Sequence, residues 1–213
     1  FPYTTLFRSP WAFSASAEMS SKHLRLVKDL MNNNLAYSQD ATTTNIIEWE
    51  EEIVDSLRQK KDYRNMFLMK QMAVYAYSLQ AKISEALKKA DAMMDEARLM
   101  KYNIGISLSY QALGDIYLNA GMRPEAVEEY EKAMKTLQAT PHAEKIQERI
   151  FIQLVPTLIK LKRMDEAKAY LEHMSEICES KCLSPFLLYA YHAYYYLRNN
   201  DLSKALEYID EAI

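Results

Sequence analysis

The chain has 213 residues, 49% of them hydrophobic and 26% charged, which is enough to bury a sizeable core. Only 3 Gly and 6 Pro argue against a fold of many tight β-turns, and abundant Ala, Leu, Met, Lys and Glu favour helices. A formal charge of −3, with basic residues interleaved among acids, gives no reason to expect nucleic-acid binding. No apolar run is long enough to span a membrane.

Residues 1–9, FPYTTLFRS, resemble the translation of a common sequencing-adapter oligonucleotide and are set aside from fold reasoning. Ala15-x-Ala17 follows an apolar Trp11-Ala-Phe and has the small-x-small pattern of a signal-peptidase site. It reads either as a remnant of an export signal cleaved before Glu18 or as an accidental Ala-Ser-Ala. Residues 1–17 are therefore expected to lie outside the folded domain, 18–213. Glu18 to Met31 carries Leu24, Val27, Leu30 and Met31 on one helical side. Asn32-Asn33-Asn34 breaks that pattern, and the polar segment to Thr44 reads as a loop. A second helix is expected from Asn45, with Asn45-x-x-Glu48 as a capping-box-like start and Ile46, Trp49, Ile53 and Leu57 on its buried face.

From residue 62 the pattern becomes regular. Asp62 to Gln80 and Ser84 to Met100 read as a helix pair, with Ala73, Tyr77, Ala86, Ala90 and Met93 at matching places. The clearest unit runs from Tyr110 to Ala133. Tyr110, Leu113, Gly114 and Tyr117 share one helical face, a turn follows at Asn119-Ala120-Gly121, and Ala126, Tyr130 and Ala133 line a second helix. Gly114 and Ala126 let two helix backbones approach closely, while the aromatics fill the space beside them. Thr140-Pro141 reads as an N-cap with proline in the first turn. The next pair carries Phe151, Leu154, Val155 and Leu158, then Ala167, Leu171 and Met174, with Pro156 expected to bend the first helix or shift its start. Ser184-Pro185 opens the last pair, with Tyr189, His192, Ala193 and Tyr196 before a turn at Asn199-Asn200-Asp201, then Ala205, Ile209 and Ala212. The chain stops inside a helical pattern, so a further segment is expected downstream.

This succession resembles the tetratricopeptide repeat, W-x-x-L-G-x-x-Y followed by A-x-x-x-F, with Tyr110 in place of the Trp and Tyr130 in place of the Phe. The resemblance covers 62–213 well and 18–60 weakly, the latter reading as a degenerate N-terminal repeat acting as a cap. The anchoring alanines Ala86, Ala126, Ala167 and Ala205 recur at spacings near 40 rather than the family's roughly 34 residues, which implies longer helices or longer connections. Another helical-hairpin solenoid of that period is the nearest rival. The fold implied is all-α, a right-handed superhelical solenoid of about four to five antiparallel helix pairs.

No catalytic constellation is visible: there is no phosphate loop and no Gly-x-Ser-x-Gly elbow. The four histidines, His23, His142, His173 and His192, are scattered, so no metal and no cofactor are expected, and the fragment reads as a non-enzyme. His192 takes the place of the signature Leu and reads as a core or groove-edge residue. Cys178 and Cys182 form Cys-x-x-x-Cys, which lacks further zinc ligands nearby. They read either as a disulfide, favoured in an oxidising compartment, or as two free thiols. Most of the 16 tyrosines, including Tyr189, Tyr191, Tyr194, Tyr195 and Tyr196 on one helix, read as packing residues.

In the family the first helix of each pair lines a concave surface that binds peptides or partner helices. By phase Gln71, Tyr75, Ser78, Gln111, Asp115, Asn119, Lys160, Tyr194 and Arg198 are the exposed residues expected there. A solvated face without a ligand is the alternative. The Lys and Asn set of the family's chaperone-binding carboxylate clamp is absent. Repeat domains of this kind also resemble the N-terminal part of membrane-anchored bacterial sensors. The expectation is therefore a periplasmic protein–protein interaction module, tied to the membrane only through a downstream segment that leads to a histidine kinase or DNA-binding output. A free-standing scaffold, cytoplasmic or periplasmic, and accessory repeats of an enzyme are the alternatives.

Overall fold

A computed structural model describes residues 39–181 and 185–211, all helix and short connections. The expectations for residues 1–17, for a helix over Glu18 to Met31 and for a loop through Asn32-Asn33-Asn34 lie outside the described residues, as does Cys182. The helices are α1 (Gln39–Gln59), α2 (Tyr63–Leu79), α3 (Ile83–Leu99), α4 (Asn103–Asn119), α5 (Arg123–Leu137), α6 (Glu144–Lys160), α7 (Met164–Lys181), α8 (Pro185–Arg198) and α9 (Leu202–Glu211). The pairs α2–α3, α4–α5, α6–α7 and α8–α9 are those expected from the sequence, and the fold is an all-α helical repeat.

The anchoring alanines hold their places. Ala86, Ala126 and Ala167 are fully buried and Ala205 nearly so. The long period resides in the helices, not in the connections. Four of the described helices, α2, α3, α4 and α6, run 17 residues, and three-residue turns such as 80–82 and 120–122 join most neighbours. A 34-residue repeat with turns this short leaves only about 14 residues per helix.

One device closes nearly every helix. Lys61, Ala81, Lys101, Gly121, Lys162 and Asn200 have φ between 52° and 80°, in the left-handed region. At Ala81 the amide donates to Ser78 O (3.0 Å) and the next amide, of Lys82, donates to Tyr77 O (3.0 Å). The same pair of bonds recurs at Lys61–Asp62, Lys101–Tyr102, Gly121–Met122, Lys162–Arg163 and Asn200–Asp201. These are Schellman caps, which satisfy the last carbonyls of a helix. Only one of the six uses glycine. At the other five a side chain is forced into a conformation that costs roughly 1–2 kcal/mol.

The chain divides at Glu96 into two compact units. In the first, α1 packs on α2 through Ile46, Ile53, Val54 and Leu57, all buried. Carboxylates tie its helices together: Glu96 of α3 accepts from Arg58 of α1 (3.0 Å) and from Lys70 of α2, and Glu50 of α1 accepts from Lys89 of α3. Burial raises the Glu96 pKa, but the hydrogen bonds from Lys70 and Arg58 outweigh it and hold the carboxyl below its usual range. The first helix here differs from expectation. It runs through Thr42-Thr43-Thr44 from Gln39, so the loop to Thr44 and the start at Asn45 are corrected. Threonine is a weak helix former, at less than about 0.7 kcal/mol per residue below alanine, and a helix already anchored by its buried face gains a hydrogen bond with each added residue. Asp62 does cap α2, accepting from the Asn65 amide (3.3 Å) and side chain (2.7 Å).

The second unit starts at Ala97 and holds α4 to α9. Its core includes Leu108, Ile116, Tyr130, Ile150, Phe151, Leu154, Leu158 and Leu171. Gly114 of α4 lies against the ring of Tyr130, and a Cβ built there would sit 2.5 Å from the ring. The Tyr130 hydroxyl donates to Asp115 Oδ1 (2.7 Å), which fixes that ring. Ser107 Oγ, fully buried, donates to Ala133 O (3.0 Å) and joins α4 to α5 a second time. The α5–α6 connection corrects another expectation. Thr140 is not an N-cap: its amide donates to Leu137 O (2.9 Å) and its hydroxyl to Thr136 O (3.1 Å), so Thr140-Pro141 closes α5. The next helix begins only at Glu144, after His142 turns the chain at φ 58°.

Pro156 lies inside α6 without shifting its start. It has no N–H for the carbonyl four residues back, that of Ile152. The hydroxyl of Tyr191, from α8, donates to that carbonyl at 3.2 Å. Burial, with Glu148 nearby, pushes the Tyr191 pKa well above the tyrosine range, so the proton stays in place. One tyrosine of the crowded α8 thus completes the hydrogen bonding of another repeat. At the other end of the unit Asp201 caps α9, accepting from the Lys204 amide (3.2 Å).

Candidate functional site

The nine residues expected on the concave face do not share one environment. In the first unit Gln71 and Ser78 are buried, and Tyr75 is more than a third exposed. In the second, Gln111 is buried, Asp115 and Tyr194 are half-buried, and Asn119, Lys160 and Arg198 are exposed. Exposure at Gln71, Ser78 and Gln111 is corrected. The reason is that α2 and α4 are covered around most of their circumference: α2 buries residues 65–69, 71–74, 76 and 78, and α4 buries Gly105, Ser107, Leu108, Ser109, Gln111, Ala112, Gly114 and Ile116. A helix packed on several sides has no wide polar stripe, whatever the phase of its polar residues.

Among the residues that stay accessible on α4 are two polar ones, Asp115 and Asn119, one turn apart. Asp115 also holds Tyr130, so it is both surface and scaffold. The Gln111 side-chain oxygen, one turn earlier, has no hydrogen-bond partner among the described residues. A buried acceptor left so costs roughly 1–3 kcal/mol.

Other polar groups are structural. Arg163 bonds Glu166 (2.6 Å) and Glu131 of α5 (3.2 Å). Burial, with Glu166 and Glu128 nearby, outweighs Arg163 and raises the Glu131 pKa, whereas the Arg163 hydrogen bond lowers that of Glu166. His192 is half-buried, stacked on Tyr208 (4.6 Å, 11°) and 3.3 Å from Ser175 Oγ. Burial lowers its pKa, against a smaller opposing effect of Glu172. Tyr196 stacks on the same Tyr208 (5.5 Å), and Lys204 lies over the Tyr196 ring (5.1 Å). This assembly pins α9 to α8 through ring contacts.

Among the described residues no three His, Cys, Asp or Glu side chains are placed to hold a metal ion. No helix of the described residues is long and apolar enough to cross a membrane. The arrangement offers surfaces, caps and ion pairs.

Residues 108–136 match the family description Tetratricopeptide repeat, a span that covers most of α4 and α5 and includes the Gly114–Tyr130 contact. No curated protein matches the chain. Repeats of this family serve as surfaces for protein–protein interaction. With its glycine-on-tyrosine contact and that match, the α4–α5 pair is similar to a tetratricopeptide repeat, and buried alanine anchors recur in the pairs before and after it.

Proposed function

We propose that the chain binds a protein or peptide partner along the first helices of its repeats, with Asp115 and Asn119 of α4 as polar contacts. The observation that carries this reading is the accessible polar series on the best-formed repeat, beside buried Gln111. Amides and carboxylates at one-turn spacing suit the backbone of an extended peptide, which offers a donor or acceptor at each residue. Lys160, Tyr194 and Arg198 extend the contact on α6 and α8. The test uses Asn119→Arg and Lys160→Glu, because both positions are exposed and replacing Asp115 would also release Tyr130. Partners crosslinked to the native chain should be lost from both variants while the helical circular dichroism is unchanged. Identical partner sets in all three proteins would refute the reading.

The finer proposal is that this module is the periplasmic part of a membrane-anchored bacterial signalling protein. The support is the Ala15-x-Ala17 pattern after Trp11-Ala-Phe and the repeat architecture. An export-dependent reporter fused to the natural reading frame at this domain should be active in the periplasm. Activity confined to a cytoplasmic reporter would favour the scaffold alternative.

A further inference from the structure

Met122 is the N-cap of α5, and its side chain makes no cap hydrogen bond. The backbone there, at φ −84° and ψ 69°, matches that of Asp62, the N-cap of α2, at φ −84° and ψ 68°. Asp62 uses that geometry to accept from the amide three residues on, that of Asn65, at 3.3 Å. Asp201 caps α9 in the same way through the amide of Lys204. The counterpart for Met122 is the amide of Glu125. Pro124, between them, has no N–H, and the Arg123 amide donates to Gly121 O (3.1 Å). The Glu125 amide is therefore the donor that a capping oxygen at position 122 would take, and a thioether sulfur is only a weak acceptor for it.

Exposure also sets Met122 apart. It is 42% exposed, whereas seven of the described methionines are at most 6% exposed and Met100 and Met164 lie between. Reagents in solvent therefore meet Met122 before the methionines of the core.

We propose that Met122 is an oxidation site for peroxides and that its sulfoxide caps α5. The peroxide O–O bond breaks and an S–O bond forms. The sulfur gives up two electrons, and the peroxide is reduced to water or an alcohol. The new oxygen is a strong acceptor, one bond farther from the backbone than the carboxylate oxygens of Asp62, and it accepts from the Glu125 amide. Oxidation of a core methionine disrupts packing, whereas at this position it closes a helix end. Methionine sulfoxide reductases reverse the change. Neither the reaction nor the cap depends on a bound partner.

The full 213-residue chain is treated with dilute hydrogen peroxide and mapped by peptide mass spectrometry. Among the described methionines Met122 should gain an oxygen first. Hydrogen exchange at the Glu125 amide should then slow by about threefold or more, and reductase treatment should restore the original rate. Met122→Asp should slow the same amide without oxidant. Met122→Leu should leave its exchange insensitive to peroxide, which separates Met122 from any other methionine that reacts. Earlier oxidation of another described methionine overturns the proposal, as does an oxidised Met122 with unchanged or faster exchange at Glu125. A Met122→Leu chain that responds to peroxide as the native chain does, or a Met122→Asp chain without slower exchange, overturns it as well.

Discussion

Tyr191→Phe removes one oxygen atom, and its cost should depend on a proline 35 residues earlier in the chain. In the native protein the Ile152 carbonyl has no helical N–H partner because residue 156 is proline, and the Tyr191 hydroxyl at 3.2 Å takes that role. Removing the hydroxyl orphans a carbonyl inside a packed helix interface, which costs roughly 1–3 kcal/mol. In a Pro156→Ala chain the residue-156 amide can reach Ile152 O, so the same Tyr191→Phe change should cost less than about 1 kcal/mol. The expected coupling is therefore on the order of 1–2 kcal/mol, well above the few tenths seen for independent sites. Urea unfolding of the four proteins followed by circular dichroism gives the cycle. Hydrogen exchange at α6 amides supplies a local reading, because repeat arrays do not always unfold in one step. Equal costs of Tyr191→Phe in the two backgrounds would refute the reasoning.

Gly114→Ala should destabilise the protein by about 1–2 kcal/mol: the new Cβ would lie 2.5 Å from a buried ring that Asp115 holds, and overpacking outweighs the roughly 1 kcal/mol gained in helix propensity. An unchanged or higher melting temperature would show that the ring can yield. Ala81→Gly should stabilise by about 0.5–1 kcal/mol, since relief of the left-handed conformation exceeds the added freedom of the unfolded chain, and Gly121→Ala should do the reverse. Opposite signs in chemical denaturation would remove the strain argument. His192 has a folded pKa below its usual 6.5, so the unfolded chain binds more protons between that lowered value and about pH 6.5. Stability should therefore fall as pH drops through this window. The change from pH 7 to pH 5.5 should shrink in His192→Gln, and an unaltered pH slope in that variant would rule out His192 as its source.

The repeat architecture was readable from residue 62 onward because small residues at fixed spacing have one physical use. Ala86, Ala126, Ala167 and Ala205 are all buried where helices meet, and Gly114 meets Tyr130 as their pairing implied. Asp62 and Pro185 mark helix starts by local chemistry alone. Local signals misled where a competing local bond won. Thr140 bonds backward to Thr136 and Leu137 rather than forward into α6. The candidate site was read from phase, and phase gives direction but not the number of neighbours. Gln71, Ser78 and Gln111 are expected at an exposed phase of their helices and are buried nonetheless. Tyr191 stood in plain sight among five tyrosines. Its partner was implied by Pro156, since a proline inside a helix leaves a carbonyl that needs a donor, but only the fold says that a residue 39 positions after Ile152 reaches it.

The Schellman caps have a consequence for how the chain is made. Each cap is closed by bonds spanning at most five residues, so a helix can be terminated before any later sequence exists. The ribosome adds about 5–20 residues per second, so a 40-residue pair takes on the order of seconds to emerge, whereas helices form in about a microsecond. Each pair can thus close behind the ribosome while the next is still being translated. The exception is α6, whose Ile152 carbonyl must await Tyr191. A pause between codons 152 and 191 would therefore leave the Ile152 carbonyl of α6 without its donor.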